Sequence, residues 1–318
     1  MPMMNFEEFT EYAANSIKDY LPSEYQQGTV TIEQVRKLGG TYTGMMIRVP
    51  GISASPTINL EQFYKEFAKG SATNYLLRDM AQIIMTSRLG VDYEWITDYE
   101  KAKDRLFIRV SNLSRNEEMM KSVPHMEKED LVMTCHVLVS MDRGVASTVV
   151  NDNLLKAYGI NKEQLFHDAM ESSQKLFPIR LEPLETMIFN IAAEEGYHHP
   201  INENNQMMVV TNEQTINGAA TLFYPDTMDR IADLIDGDYY VIPSSIHEFL
   251  VIPESANVSY QHLESMLHEV NTAMVAEDEQ LSDHVYHYDS IEKSFELAED
   301  YALRIQMNES QLSNNFVM

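Results

Sequence analysis

The sequence is poor in cysteine and has no long apolar run. Only Cys135 is a cysteine among its 318 residues, so no disulfide can form within one chain and we expect a reducing compartment. No window approaches the roughly 18 consecutive apolar residues of a membrane span. The first residues also lack the basic and apolar regions of a signal peptide. We therefore predict a cytoplasmic protein that does not insert into a membrane.

Basic residues are scarce beside acidic ones. The chain has 23 Lys and Arg against 49 Asp and Glu, a formal net charge of −26. Such a surface repels phosphates, so binding to a nucleic acid backbone or to anionic lipid is not expected. Two interpretations of the charge stay open, namely solubility or an acidic face for a basic protein partner. The charge says nothing about the oligomeric state.

Motifs for catalysis or cofactor binding are missing as well. Gly39-Gly40 lacks the continuation of a phosphate-binding loop, and no Gly-x-Ser-x-Gly, His-Glu-x-x-His or cysteine pair is present. The ten histidines show no spacing typical of metal ligands. We therefore predict no cofactor and no metal. The nearest histidine spacings are His198-His199, His284 with His287, and His262 with His268.

Apolar periodicity predicts an α+β fold. We expect a mixed or antiparallel sheet built from repeated strand–strand–helix units, with flanking helices. The repeat rests on two similar blocks, in which residues 144–152 align with residues 218–226. The second block predicts a strand over 219–223, and helical spacing predicts a final helix over 291–305. A charged stretch near residues 113–130 divides the chain into an N-terminal α+β region, 1–113, and a C-terminal one, 114–318, unless both pack as one domain.

The most unusual local chemistry lies between two predicted strands, 239–242 and 248–252. Ser244, Ser245, His247 and Glu248 fall within five residues. One interpretation is a group of nucleophile, base and orienting carboxylate. Strand alternation would put Ser245 and His247 on one face and turn Glu248 away, which speaks against it. The alternatives are a tight turn held by local bonds, or a binding loop between rigid strands.

Three runs in the last third of the chain carry a family resemblance: TNEQTINGAATLFYP (211–225), GDYYVIPSSIHEFLVIP (237–253) and LSDHVYHYD (281–289). They resemble a bacterial family of unknown function, numbered 5688 and common in gut anaerobes. The similarity extends more weakly over nearly the whole chain. Residues 217–253 are loosely similar to another uncharacterised family, numbered 1444. The resemblance implies a shared fold and a cytoplasmic setting, and no reaction. Ala273, Met274 and Asp226 depart from the pattern of the first family.

Polar residues of these runs and of the helix between them form a possible second cluster. Asn217 precedes Gly218, a pair typical of a turn with positive φ. The full set is Asn212, Asn217, Asn271, Asp283, His284 and Tyr286. Without a catalytic motif, an enzyme is not favoured, and the first hypothesis is an acidic cytoplasmic binding or regulatory protein. The alternatives are a hydrolase that uses Ser244 or Ser245 with His247, and an accessory protein of a mobile element or defence locus.

Overall fold

The computed structural model describes residues 4–50, 56–86, 94–141, 145–194 and 206–315. The chain divides into two compact units, Met1–Trp95 and Ile96–Met318. Residue 144, where the first repeat block begins, and the pair His198-His199 lie outside the described residues.

The first unit packs helices against a small antiparallel sheet. Its elements are α1 (Phe6–Ser16), β1 (Thr29–Lys37), β2 (Gly40–Arg48), β3 (Thr57–Asn59), α2 (Leu60–Ala68) and α3 (Thr73–Thr86). The strands lie in the order β1-β2-β3. At the start of α1, Asn5 and Glu8 cap each other's backbone N–H groups, which fixes where the helix begins. Phe9, Met45 and Met80 are buried in the shared core.

The second unit contains two sheets. The strands are β4 (Leu106–Asn112), β5 (His125–Lys128), β6 (Leu131–Ser140), β7 (Ala146–Val149), β8 (Ile179–Pro183), β9 (Met208–Asn212), β10 (Tyr239–Ser245), β11 (Glu248–Pro253), β12 (Tyr286–Asp289) and β13 (Ser294–Leu297). The helices are α4 (Tyr99–Ala102), α5 (Glu117–Met120), α6 (Asp152–Tyr158), α7 (Lys162–Leu176), α8 (Leu184–Glu194), α9 (Thr227–Ile235), α10 (Tyr260–Ala273) and α11 (Ala298–Asn315). One sheet has the order β4-β6-β5 with β7 also on β6, and the other β13-β12-β10-β11-β9-β8.

The six-stranded sheet carries the region of interest. Its neighbouring strands are all antiparallel, and β10 lies between β11 and β12. Helix α10 presents Leu263 and Leu267, one turn apart, to Tyr240, Ile242 and Ile252 of the sheet. Central strands covered in this way read as near-continuous apolar runs, which is why the sequence of β10 and β11 predicts them well.

The α+β class and the antiparallel sheets are confirmed. The predicted strand 219–223 is wrong, because Gly218–Phe223 forms a 3-10 helix. A strand there has no place beside β9, since β8 and β11 already occupy both of its edges. The second block therefore has a strand, a 3-10 helix and then α9, whereas the first has β6, β7 and α6.

The predicted helix 291–305 begins too early. Residues 294–297 form β13, which pairs with β12, and α11 starts only at Ala298. The Asp289 carboxylate accepts the N–H groups of Ile291 and Glu292, which reverses the chain before β13. Ile291, read as part of an apolar helix face, is 86% exposed.

The division between the units also differs from the predicted one. The structure places it at Trp95 and Ile96, whereas the sequence pattern predicts regions 1–113 and 114–318. Strands β4 and β6 pair along the whole of β4, so they hold both sides of residue 113 in one sheet. Within the described ranges, no helix is both long and apolar enough to cross a membrane.

Candidate functional site

The candidate site is built around a two-residue turn, Ile246-His247, that joins β10 to β11. Ser245 pairs with Glu248 across this turn, so the two side chains lie on the same face. The Glu248 Oε1 atom accepts hydrogen bonds from Ser245 Oγ at 2.8 Å and from Ser244 Oγ at 3.1 Å. The expectation that Glu248 points away is wrong, because it treated 245–248 as a continuous strand. An irregularity between Ile242 and Ser245 brings Ser244 to the same acceptor.

The imidazole of His247 has different partners. Its Nδ1 atom accepts the Asn217 N–H at 3.2 Å, and its Nε2 atom lies 3.5 Å from Glu279 Oε1. With Nδ1 as acceptor, the neutral ring carries its proton on Nε2 and directs it at Glu279. The serines bond to Glu248 and the histidine to Asn217 and Glu279. This geometry offers no nucleophile–base pair in support of the hydrolase alternative.

Every backbone polar group of the turn has a partner. Ile246 N–H donates to Glu279 O at 2.9 Å and Ile246 O accepts from Ala219 N–H at 3.2 Å. His247 N–H donates to Ser245 Oγ at 3.0 Å, and His247 O accepts from Thr211 Oγ1 at 2.8 Å. Bonds from three separate segments therefore fix the conformation of the turn. The connection is tight, but three of these four bonds come from segments distant in sequence and only the one from His247 N–H to Ser245 Oγ is local.

Gly218 makes this anchoring possible. A Cβ atom at this position would lie 2.8 Å from Asn212 N and still closer to His247 O and Thr211 Oγ1. Real Cβ atoms do not approach backbone atoms so closely, so only glycine lets the 3-10 helix touch the turn. The neighbouring Asn217 has φ 54°, as predicted for the Asn-Gly pair.

A cleft of about 400 Å³ lies beside the turn, and we call it the turn cleft. Its carboxylates are Glu248 and Glu279, and its apolar surface includes two methionines, of which Met274 is 82% exposed. Among the described residues, the lining contains no Lys or Arg. The lining residues are Met187, Thr215, Ser245, His247, Glu248, Met274, Val275 and Glu279.

Two larger clefts lie elsewhere. One of about 660 Å³ in the first unit runs along α1, with Phe6, Thr10 and Ile32 in its lining. Another of about 480 Å³ is lined by residues of both signs, including Lys103 and Asp168. Neither contains a predicted site residue. In the turn cleft, by contrast, the fully bonded turn forms one rigid wall, and the carboxylates Glu248 and Glu279 give that cleft an acidic character. A preformed wall with a few placed polar groups is a feature of a recognition site.

The possible second cluster does not form one site. Asn212 bonds to both backbone groups of Ile216, at 2.8 Å and 3.3 Å, and so closes the loop that precedes the 3-10 helix. Asn217 supports His247 through its N–H. Asn212 and Asn217 therefore support the turn through the loop that precedes the 3-10 helix.

The remaining members of that cluster hold the segment before β12. The buried Asn271 donates from Nδ2 to Ser282 O and to Asp283 Oδ1, both at 3.0 Å, and so ties α10 to this segment. His284 N–H donates to Ser282 Oγ at 2.9 Å. The Tyr286 hydroxyl donates to the carboxylate of Asp130, which immediately precedes β6. Burial, and next the charge of Asp130, raise the pKa of Tyr286. These residues are structural supports outside the turn cleft.

Three residues that the sequence analysis did not group together lie close to one another at the other end of the same strands. One ligand atom from each of Asp238, Glu254 and His287 lies within 4.8 Å of the others. Asp238 immediately precedes β10, Glu254 follows β11, and His287 belongs to β12. Burial lowers the pKa of His287 to about 4, which leaves the ring neutral at pH 7. The strand order, which no local motif encodes, is what brings them together.

The only cysteine, Cys135, lies in β6 and is fully buried. Burial raises the pKa of its thiol, so it has the surroundings of a small apolar residue and not of a reactive thiolate.

The fold and the site together describe an α+β protein with an acidic, methionine-lined cleft beside a rigid hairpin turn. The chain belongs to the family of unknown function DUF5688, whose model matches residues 6–290. The resemblance predicted from the three sequence runs is thereby confirmed. The matched range includes the turn cleft and the three clustered residues. Comparison with curated proteins and with solved structures yields no significant match.

Proposed function

We propose that this is a cytoplasmic binding protein that receives a basic segment of a partner protein in the turn cleft. The observation that carries the proposal is the pairing of two carboxylates, Glu248 and Glu279, with exposed thioether surface at one rigid turn. Lysine and arginine side chains have an apolar stem and a cationic head, which match these two kinds of surface.

The acidic part of the cleft favours a cationic head group. The Glu279 side chain is 45% exposed, and its neighbour in the described lining is the His247 ring at 3.5 Å, not a Lys or an Arg. The net charge of −26 adds a long-range attraction that speeds the encounter with a basic partner. The same charge disfavours a nucleic acid as the ligand.

The rigid wall and the methionines have separate roles. Because the turn is already fully bonded, little conformational entropy is lost there when a partner binds. Met274 and Met187 have flexible, polarisable side chains that adjust to side chains of different shape. The cleft therefore combines a fixed carboxylate geometry with an adaptable apolar surface.

The test uses two N-acetylated hexapeptides, one alternating Leu and Arg and the other alternating Leu and Glu. Isothermal titration calorimetry measures their affinities, and methyl NMR of labelled methionines reports the contact surface. We expect the Arg peptide alone to bind and to shift the Met274 and Met187 methyl signals. The double variant Glu248→Gln/Glu279→Gln should bind it about tenfold more weakly, because each exposed charge pair contributes up to about 1 kcal/mol.

The matched control is Glu163→Gln/Glu292→Gln, which removes two exposed carboxylates away from the turn cleft. It should bind the Arg peptide nearly as well as the wild type, apart from the small effect of net charge. Equal loss of affinity in both double variants would show general charge attraction, and the proposed site would then be wrong.

A further inference from the structure

The cluster of Asp238, Glu254 and His287 is positioned by the pairing of three adjacent strands. Tyr239 in β10 faces both Pro253 of β11 and Tyr288 of β12. Glu254 N–H also donates to Asp238 O at 3.0 Å, which locks the two acidic residues side by side. The backbone of the sheet, and not a flexible loop, therefore sets the spacing of the cluster.

The burial of the His287 side chain is not explained by its contacts within the protein. Its side chain is 0% exposed, and neither ring nitrogen has a hydrogen-bond partner in the described part of the chain. Its ring stacks on Tyr301 with centroids 3.5 Å apart. The Nε2 atom lies 3.7 Å from Glu254 Oε2, beyond hydrogen-bond distance. A buried polar atom without a hydrogen-bond partner destabilises the fold unless something binds it.

The charges around His287 are also unbalanced. Asp289 and Glu296 lie near the cluster, but both accept hydrogen bonds from Arg304, at 3.2 Å and 2.6 Å. This guanidinium is therefore already engaged by two carboxylates. The Asp238 and Glu254 carboxylates, which have ligand oxygens within 4.8 Å of each other, repel one another. A cation between Asp238 and Glu254 would relieve that repulsion.

We propose that Asp238, Glu254 and His287 bind a divalent transition-metal ion, with Zn²⁺ as the best fit. One imidazole nitrogen and two carboxylate oxygens are ligands that Zn²⁺ accepts, and they match its charge. This site shares no residue with the turn cleft, so the proposal does not depend on the proposed function.

Neighbouring groups already orient the carboxylates. Ser290 donates to Asp238 Oδ1 from its N–H at 2.8 Å and from its hydroxyl at 2.6 Å. The Tyr301 ring stacks on His287 and lies near Glu254. Partners of this kind fix the direction of metal ligands and strengthen binding.

The geometry needs only a small adjustment to close around an ion. Tetrahedral ligands about 2.1 Å from Zn²⁺ are separated by about 3.4 Å. The His287 and Glu254 donors are 3.7 Å apart, and no pair of donors is more than 4.8 Å apart, so the largest approach needed is about 1.4 Å. The Glu254 side chain is 42% exposed, which gives it the freedom to move and leaves one side of the site open to solvent. Three protein ligands leave at least one coordination position for water or for an exogenous ligand.

The test titrates ZnCl₂ into full-length protein treated with EDTA and then desalted. We expect saturable binding of one ion per chain with a rise in melting temperature. Glu254→Gln keeps the size of a half-exposed side chain and should weaken Zn²⁺ binding at least about tenfold. Glu292→Gln, an exposed carboxylate just after β12, should bind as the wild type does.

Two further readouts separate this site from adventitious binding by surface histidines. Co²⁺ in place of Zn²⁺ should give visible absorption bands that Glu254→Gln loses and Glu292→Gln retains. The imidazole NMR signals of His287 should shift on Zn²⁺ addition. The proposal is overturned if no saturable binding occurs, if Glu254→Gln binds as tightly as the wild type, or if His287 signals stay fixed while other histidine signals shift. His287→Gln is avoided as the main test because it alters a fully buried side chain.

Discussion

Replacing Gly218 by alanine should damage the turn at the centre of the candidate site. The added Cβ would meet backbone atoms, His247 O and Asn212 N, which cannot rotate away as a side chain can. Insertion of a methyl group into packed structure costs about 1–3 kcal/mol, and a backbone obstacle puts this case at the upper end, about 3 kcal/mol. For a unit of this size, about 3 °C is lost per kcal/mol, so the melting temperature of the second unit should fall by about 9 °C.

Gly159 provides the matched comparison. It lies in the same unit, at the end of α6, with φ 69° and no atom within 4 Å of an added Cβ. Gly159→Ala therefore costs only the left-handed backbone conformation, about 1 kcal/mol. Urea unfolding followed by circular dichroism measures both variants, and hydrogen exchange at Ala219 N–H, which bonds to Ile246 O, reports local opening of the turn.

The relative stability of the two variants tests whether the 3-10 helix approaches the turn closely. Gly218→Ala should be the less stable variant, and Ala219 N–H should exchange faster in it than in Gly159→Ala. If Gly218→Ala unfolds within about 0.5 kcal/mol of the wild type, the close approach between the 3-10 helix and the turn is not real.

Three further substitutions test other parts of the second unit by urea or thermal unfolding. Tyr224→Phe should cost about 1–2 kcal/mol, because the buried hydroxyl shares its one proton between the Ser173 and Phe177 carbonyls, each 3.2 Å away; an unchanged midpoint would contradict this bond. Burial and the nearby Arg109 charge hold the pKa of His136 well below its ordinary 6.5, so the unfolded chain takes up the proton first. Stability should then fall by about 1.4 kcal/mol per pH unit below pH 6.5 and be constant above it for this group, and His136→Asn should lose that slope. Asn161→Ala should cost about 1 kcal/mol, since Asn161 accepts the Gln164 N–H at 2.8 Å, and a thermal scan that shows no loss would argue against the cap.

Local patterns predicted the elements whose environment the sequence itself encodes. The apolar runs of β10 and β11 are bounded by Gly237 and Pro253, and their burial on a central sheet position agrees with that pattern. Asn161 caps α7 by accepting the Gln164 N–H, although the Gln164 side chain bonds to Asp168 and so leaves the reciprocal half of the capping box unmade.

The failures share a physical cause, which is competition from parts of the chain far away in sequence. Residues 219–223 suit a strand by composition, but the neighbouring strand has no free edge for them. The predicted direction of the Glu248 side chain depended on the residue at which the turn begins. A shift of one residue moves a side chain to the other face of the sheet. The cluster of Asp238, Glu254 and His287 depends on the order of three strands, which spacing alone does not predict.

The order of the six-stranded sheet also determines how other chains can approach it. Its outer strand β8 ends in Pro183, which has no N–H to donate, and carries the ion pair of Arg180 with Glu182. The opposite outer strand, β13, is four residues long and leads directly into α11. Short, charged or proline-bearing borders resist the addition of a foreign strand. Main-chain pairing with a foreign strand, the usual route to aggregation of β-rich proteins, is therefore obstructed at both edges of this sheet. A partner protein would instead contact side chains at the hairpin end.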